Sequence, residues 1–207
     1  MTLGVLLFLL LTLSINAQSQ FTGKVTYQDS YKSKDPNISG SDFEKFMGSK
    51  REFYLQGAFY KDVHYGELNS VMLYRGDSNK IYNYNVGADT IFWMDAAKDT
   101  LSKILDFKIE DSNEVILGLK CKKLTIKSQL GSFIYFFNDR YVINPADFTN
   151  HHLNFWDFYT SKCKSVPLKI IYEGVDIVLT STAVKVDQAE LDGDTFKIPS
   201  GYLKKRF

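Results

Sequence analysis

Cysteine, histidine and proline are scarce in this chain of 207 residues: two, three and four respectively. Two cysteines make neither a disulfide-rich scaffold nor a four-thiolate zinc site. Two of the histidines, His151 and His152, are adjacent in sequence. Neighbours diverge on a helix and face opposite sides of a strand, so this spacing does not hold one metal, and no His-x-His or His-x-x-x-His pair occurs. Charge of one sign is not in excess either, since 25 Lys and Arg oppose 24 Asp and Glu. A near-neutral chain carries no electrostatic footprint for nucleic acid. There is no Gly-x-Ser-x-Gly elbow and no phosphate-cradling glycine loop. Gly40-Ser41-Asp42 reads as a helix start and Asp192-Gly193-Asp194 as a turn, because a calcium loop of the EF-hand kind needs more ordered oxygens. The sequence therefore offers no catalytic residue, no metal ligand and no cofactor motif, and the expectation is a protein that is not an enzyme.

No apolar run reaches the roughly 18 residues that a spanning helix needs. A shorter run stands at the front. Thr2 to Ala17 is uncharged and leucine-rich, and Ser14-Ile15-Asn16-Ala17 closes it with small and polar residues. This is the pattern of a secretory signal peptide over residues 1–17, with an uncleaved anchor as the alternative. No cysteine follows the run, so a lipoprotein anchor cannot form there. The expected locations are the periplasm, the outer-membrane surface or the exterior. In such oxidising surroundings Cys121 and Cys163 are expected to form a disulfide, closing a loop of about 40 residues and contributing up to about 4 kcal/mol. The other reading is two free buried thiols that act as small apolar residues.

What the chain has in quantity is aromatic rings, 13 Tyr and 16 Phe. Aromatic side chains suit pleated, half-buried surfaces. Phe21, Gly23, Val25 and Tyr27 alternate with polar residues as one face of a strand. Residues 51–95 repeat the pattern in short strands parted by Gly and Asn turns, and Ile104–Ile109 adds a weaker one. Glu114–Phe137 holds two apolar strands joined at Gly131, and residues 168–186 form a last hairpin around Glu173-Gly174. Phe196-Lys197-Ile198-Pro199 reads as a closing edge. A capping box, Ser41 to Glu44, predicts a short helix from Asp42 to Met47 that buries Phe43, Phe46 and Met47. The expected fold is mainly β. It is a single curled antiparallel sheet or half-barrel of about ten or eleven strands over residues 18–207, with one or two short helices as a lid.

The run Phe133 to Phe137 is apolar on both faces, which places it centrally or against a cavity. Ala146 to Tyr159 is an aromatic segment, either an amphipathic helix or a loop, and suits a flap over the sheet. Phe92, Trp93, Phe133, Tyr135, Phe137, Phe155 and Trp156 are the candidates for lining an apolar ligand cavity. The alternative is that the same rings simply fill a core.

Several short motifs carry a resemblance. They are Phe21-x-Gly23-x-Val25-x-Tyr27, Asp89-Thr90-Ile91, Ile116-Leu117-Gly118-x-x-Cys121-Lys122, Pro167-Leu168 and Phe196-x-Ile198-Pro199. Together they resemble small secreted proteins of the GLPGLI type, found mainly in Bacteroidota, or a neighbouring family. At the namesake position this chain has Ser165-Val166-Pro167-Leu168-Lys169-Ile170. Such proteins look akin to the lipoprotein carriers LolA and LolB. That likeness implies a half-barrel around an apolar cavity, with lipid or a lipoprotein as the partner, and brings no catalytic residue.

Overall fold

Strand-forming alternation accounts for most of the architecture. The computed structural model describes residues 19–98 and 103–207. The expected signal peptide lies outside the described residues. The strands are β1 (Gly23–Ser33), β2 (Lys50–Gln56), β3 (Phe59–His64), β4 (Ser70–Arg75), β5 (Lys80–Asn85), β6 (Thr90–Asp95), β7 (Ile104–Ile116), β8 (Leu119–Ser128), β9 (Gly131–Val142), β10 (Ser165–Glu173), β11 (Ile177–Gln188) and β12 (Leu203–Arg206). They join one sheet in the order β12-β6-β5-β4-β3-β2-β1-β11-β10-β9-β8-β7. The two meanders, β2–β6 and β7–β11, meet where β1 pairs with β2 on one side and β11 on the other.

The sheet is mainly β as expected, with two differences. It has twelve strands among the described residues, and β12 runs parallel to β6, so the sheet is mixed. The parallel entry follows from the route of the chain. After β11 it crosses one face of β3–β6, where Leu191, Phe196, Ile198 and Tyr202 pack on Val63, Val71, Leu73, Tyr82, Tyr84 and Ile91. A crossover of that length is what a parallel pairing requires. Phe196–Pro199 is therefore not the closing strand; Phe196 ends a 3-10 turn, Gly193–Phe196, and is buried. Arg75 donates to the Phe196 carbonyl at 3.1 Å and Gln56 accepts from the Leu191 amide at 3.1 Å, pinning the crossing segment.

Two helices occur among the described residues: α1 (Gly40–Met47) and α2 (Trp156–Cys163). The capping box of α1 sits two residues earlier than expected. Ser39 accepts from the Asp42 amide at 3.2 Å, and the Asp42 carboxylate accepts from the Ser39 amide at 2.8 Å. An aspartate serves here as well as glutamate because its oxygen still reaches the free N–H. Nor does α1 bury its apolar residues. Phe43 stacks on Tyr31 at 6.2 Å, while Phe46 keeps 49% exposure. The helix rests against the end of β1 through Tyr31, and its own end is held by backbone approach. Gly48, at φ 90°, and Gly66 each leave no room for a Cβ against the facing chain.

Cys121 and Cys163 are both buried and unbonded. The expected disulfide is absent because the two side chains belong to different packing clusters. On β8, Leu124 and Ile126 face Cys163 and α2, whereas Cys121 packs with Ile116 and Phe136. Alternation along a strand sends residue 121 to the face opposite 124 and 126.

The crossing segment gives a direct test of this packing. Phe196→Ala removes its largest buried ring and should destabilise the protein by about 3 kcal/mol, within the usual range for Phe→Ala in a core. The urea midpoint measures it, and a loss below about 1 kcal/mol would mean that the segment is not packed as described.

Candidate ligand-binding site

The inner face of the sheet is built from registered rows. Met72 (β4) faces Asp62 (β3), Asp62 faces Phe53 (β2), and Phe53 faces Val25 (β1). The next row runs from His64 through Arg51 and Tyr27 to Ala183. The other meander continues it, with Asp29–Ser181–Ile170–Tyr135 and Tyr31–Leu179–Tyr172–Phe133. Residues from β4 and from β9 line the same cavity of about 390 Å³. Six strand spacings separate β4 from β9, about 29 Å if flat at about 4.8 Å each. A cavity of that size spans them only if the sheet curls into a trough.

One end of the trough is filled by the aromatic segment after β9. It is not one helix. A 3-10 turn at Pro145–Phe148 and another at Leu153–Phe155 precede α2. Asn154 and Phe155 take left-handed φ values of 54° and 59°, which break the helical spacing read from the sequence. A left-handed phenylalanine is held against its own preference; its ring is buried, packed edge-on at 5.6 Å to Phe133. Trp156 contacts Phe53, Tyr60, Phe148 and Tyr159, with centroids between 5.3 and 6.2 Å. Tyr159 in turn lies 4.3 Å from Tyr135. Both meanders are thus bound to one plug.

The remaining space has a mainly apolar wall, to which the plug adds His151 and Asn154, and one charged, polar end. Phe53, Tyr60, Met72, Phe133, Tyr135, Trp156, Ile170 and Leu179 form most of the wall. The polar end holds Arg51, Asp62, His64 and Ser181. Arg51 donates to Asp62 at 2.9 Å, lies 3.6 Å from Asp29 and stacks on the Tyr27 ring at 4.1 Å. The ring itself is fixed because Tyr27 donates to the Pro167 carbonyl at 2.6 Å, reaching over Ala183 on the strand between. His64 lies 3.8 Å from Asp29 and 3.9 Å from Asp62. Burial alone would lower the Arg51 pKa, and the two carboxylates reverse that and hold it charged. Burial pushes the Asp29 carboxyl above the ordinary range, against the pull of Arg51. Both Asp29 carboxylate oxygens, Arg51 Nε and Nη2, Asp62 Oδ1 and His64 Nδ1 remain buried without hydrogen-bond partners, as do His151 Nδ1 and Trp156 Nε1 on the plug.

Behind the sheet, Glu52 shows the opposite outcome. Burial would raise its pKa, but hydrogen bonds from Tyr54, Tyr65, Lys50 and Lys24 hold it at about 2. That carboxylate is satisfied; those at the cavity are not.

The sequence candidates divide three ways. Phe133, Tyr135 and Trp156 line the cavity. Phe137 and Phe155 are buried in the cluster that supports it. Phe92 and Trp93 lie on β6, beside the edge strand β12, the first half-exposed against Phe207 and the second under Lys80 and Arg206. Of the two adjacent histidines, His151 is buried and shares a 2.8 Å hydrogen bond with the Tyr60 hydroxyl, while His152 faces Asp157 at 2.8 Å. Sequence reasoning missed Asp29, Arg51, Asp62 and His64. A signal was there: each sits in phase with inward apolar residues, Asp29 after Val25 and Tyr27, Arg51 before Phe53, and Asp62 after Tyr60. No family model matches the chain, and no curated protein matches it.

His151 gives a pH test of the plug. Burial lowers its pKa from 6.5 to about 4. The folded state then binds fewer protons than the unfolded state between those values, so stability is full above about pH 6.5 and falls as pH drops towards 4. Wild type should lose about 2–3 kcal/mol more than His151→Gln over that window, as the shift implies at about 1.4 kcal/mol per unit. Urea midpoints across the range measure it, and equal slopes would contradict a buried neutral imidazole.

Proposed function

We propose that this is an exported cell-envelope protein that binds one amphipathic, lipid-like molecule in the trough of its sheet. The observation that carries the reading is the cavity itself: about 390 Å³, walled by apolar side chains, with a small polar group at one end. Ligand sites of about 300–1,000 Å³ with few convergent polar groups have this make-up. Solvent reaches the polar end, where the His64 and Asp62 side chains keep 18% and 14% exposure. The volume lies at the small end of the range and suits a single chain rather than the several acyl chains of a lipoprotein anchor. The apolar leader supports export, and the likeness to LolA- and LolB-type carriers supports lipid as the ligand class.

A second reading is a non-enzymatic envelope protein that acts through its surface. It is favoured by β7, an edge strand on which Leu105, Phe107, Ile109 and Val115 are exposed. Exposed apolar edges invite pairing with another chain.

Native mass spectrometry after detergent-free purification distinguishes them. The first reading expects a co-purifying lipid-sized adduct, lost in Ile170→Trp, whose larger side chain grows into the empty space. The variant should keep its fold and weaken binding of a fluorescent fatty probe at least about tenfold, or about 1.4 kcal/mol. A clean apo mass with no probe binding would overturn the reading.

A further inference from the structure

We propose that the polar end of the cavity selects a neutral head group that both donates and accepts hydrogen bonds, an amide or a hydroxyl, and turns away a fatty carboxylate. This rests on the ligand-binding reading above and adds what the ligand carries at its polar end.

An arginine in an apolar pocket suggests at first a partner for an anionic head. The geometry here points elsewhere. The Arg51 guanidinium is already engaged by Asp62 at 2.9 Å and faced by Asp29 at 3.6 Å. Two carboxylates thus stand against one guanidinium, with His64 between them on the same side. With Asp29 resisting ionisation through burial, the remaining Arg51–Asp62 pair is balanced. In neither state of Asp29 does this pair of partners leave a spare positive charge for an incoming carboxylate, which would instead sit beside like charge.

Hydrogen-bonding capacity is not used up in the same way. Arg51 is 92% buried at its side chain, lines the cavity, and has no hydrogen-bond partner at Nη2 or at Nε, which only faces Asp29 at 3.6 Å. Asp62 also lines the cavity and has Oδ1 without a partner. Unpaired buried donors and acceptors carry a desolvation cost of about 1–3 kcal/mol each, so a group that meets them binds favourably. A carboxylate offers acceptors only and leaves Asp62 unmet. An ammonium offers donors only and leaves the Arg51 donors unmet. An amide or hydroxyl answers both, its oxygen accepting from Arg51 and its N–H or O–H donating to Asp62.

Titration of the wild-type protein with octanamide, octanoate and octylamine tests this, followed by Trp156 fluorescence or calorimetry at about pH 8, above the ordinary imidazole range. Octanamide should bind at least about tenfold tighter than either ion. In Asp62→Asn one carboxylate is gone, the guanidinium is less matched, and octanoate should gain at least about tenfold relative to octanamide. Octanoate or octylamine binding as tightly as octanamide to wild type overturns the head-group inference and leaves the cavity reading standing. If none of the three binds, the cavity reading fails and this inference with it. Should Asp62→Asn not fold, the wild-type ranking alone decides.

Discussion

Trp156 is the contact on which the rest of the structure depends. A curled sheet has an inner face too broad to close on itself, and its apolar side chains must be covered by something other than another strand. Trp156 meets Phe53 and Tyr60 from one meander, and its stacked neighbour Tyr159 meets Tyr135 from the other. The two halves of the trough are therefore held at a fixed distance by rings rather than by a disulfide, and both cysteines remain thiols. The plug covers one end of the trough only. What it leaves uncovered is the cavity.

The polar end follows from the same geometry. Inward positions on β1, β2 and β3 are apolar where the plug reaches them, at Val25, Phe53 and Tyr60, and charged further along at Asp29, Arg51 and Asp62. Burying charge is unfavourable without paired, hydrogen-bonded partners. A filled core would have been served better by apolar residues at those positions. Incompletely satisfied charges on a cavity wall make sense where a ligand or water completes them. This ties the folding of the sheet to its proposed use, with the plug packing one end and the polar end left for the proposed ligand.

Much of the fold was legible because its signal is local. Alternation in β2 to β6 and in the β10–β11 hairpin gave strands close to those observed. What was not legible depends on distant pairing. The parallel β12 is placed by the packing of the crossing segment, and no local pattern in Leu203–Arg206 announces it. For residues 146–159 helix and loop both stay open in the sequence; the segment is two 3-10 turns followed by α2, broken at left-handed Asn154 and Phe155, and burial of the Phe155 ring against Phe133 holds that residue against its own preference. Phe133, Tyr135 and Trp156 were readable as wall residues from apolar density. The charged cluster is not legible in the sequence, although its members stand in phase with core residues, because each charge alone reads as solvated and only the sheet register brings the four together.

The central claim is that the trough keeps an apolar hollow beside Phe53, Met72, Phe133 and Ile170. Crystals pressurised with xenon test it most directly, since dry apolar cavities take up xenon and polar, water-filled ones do not. The account predicts xenon density against those four side chains. Side chains packed solid across that space, with no xenon there, would contradict it.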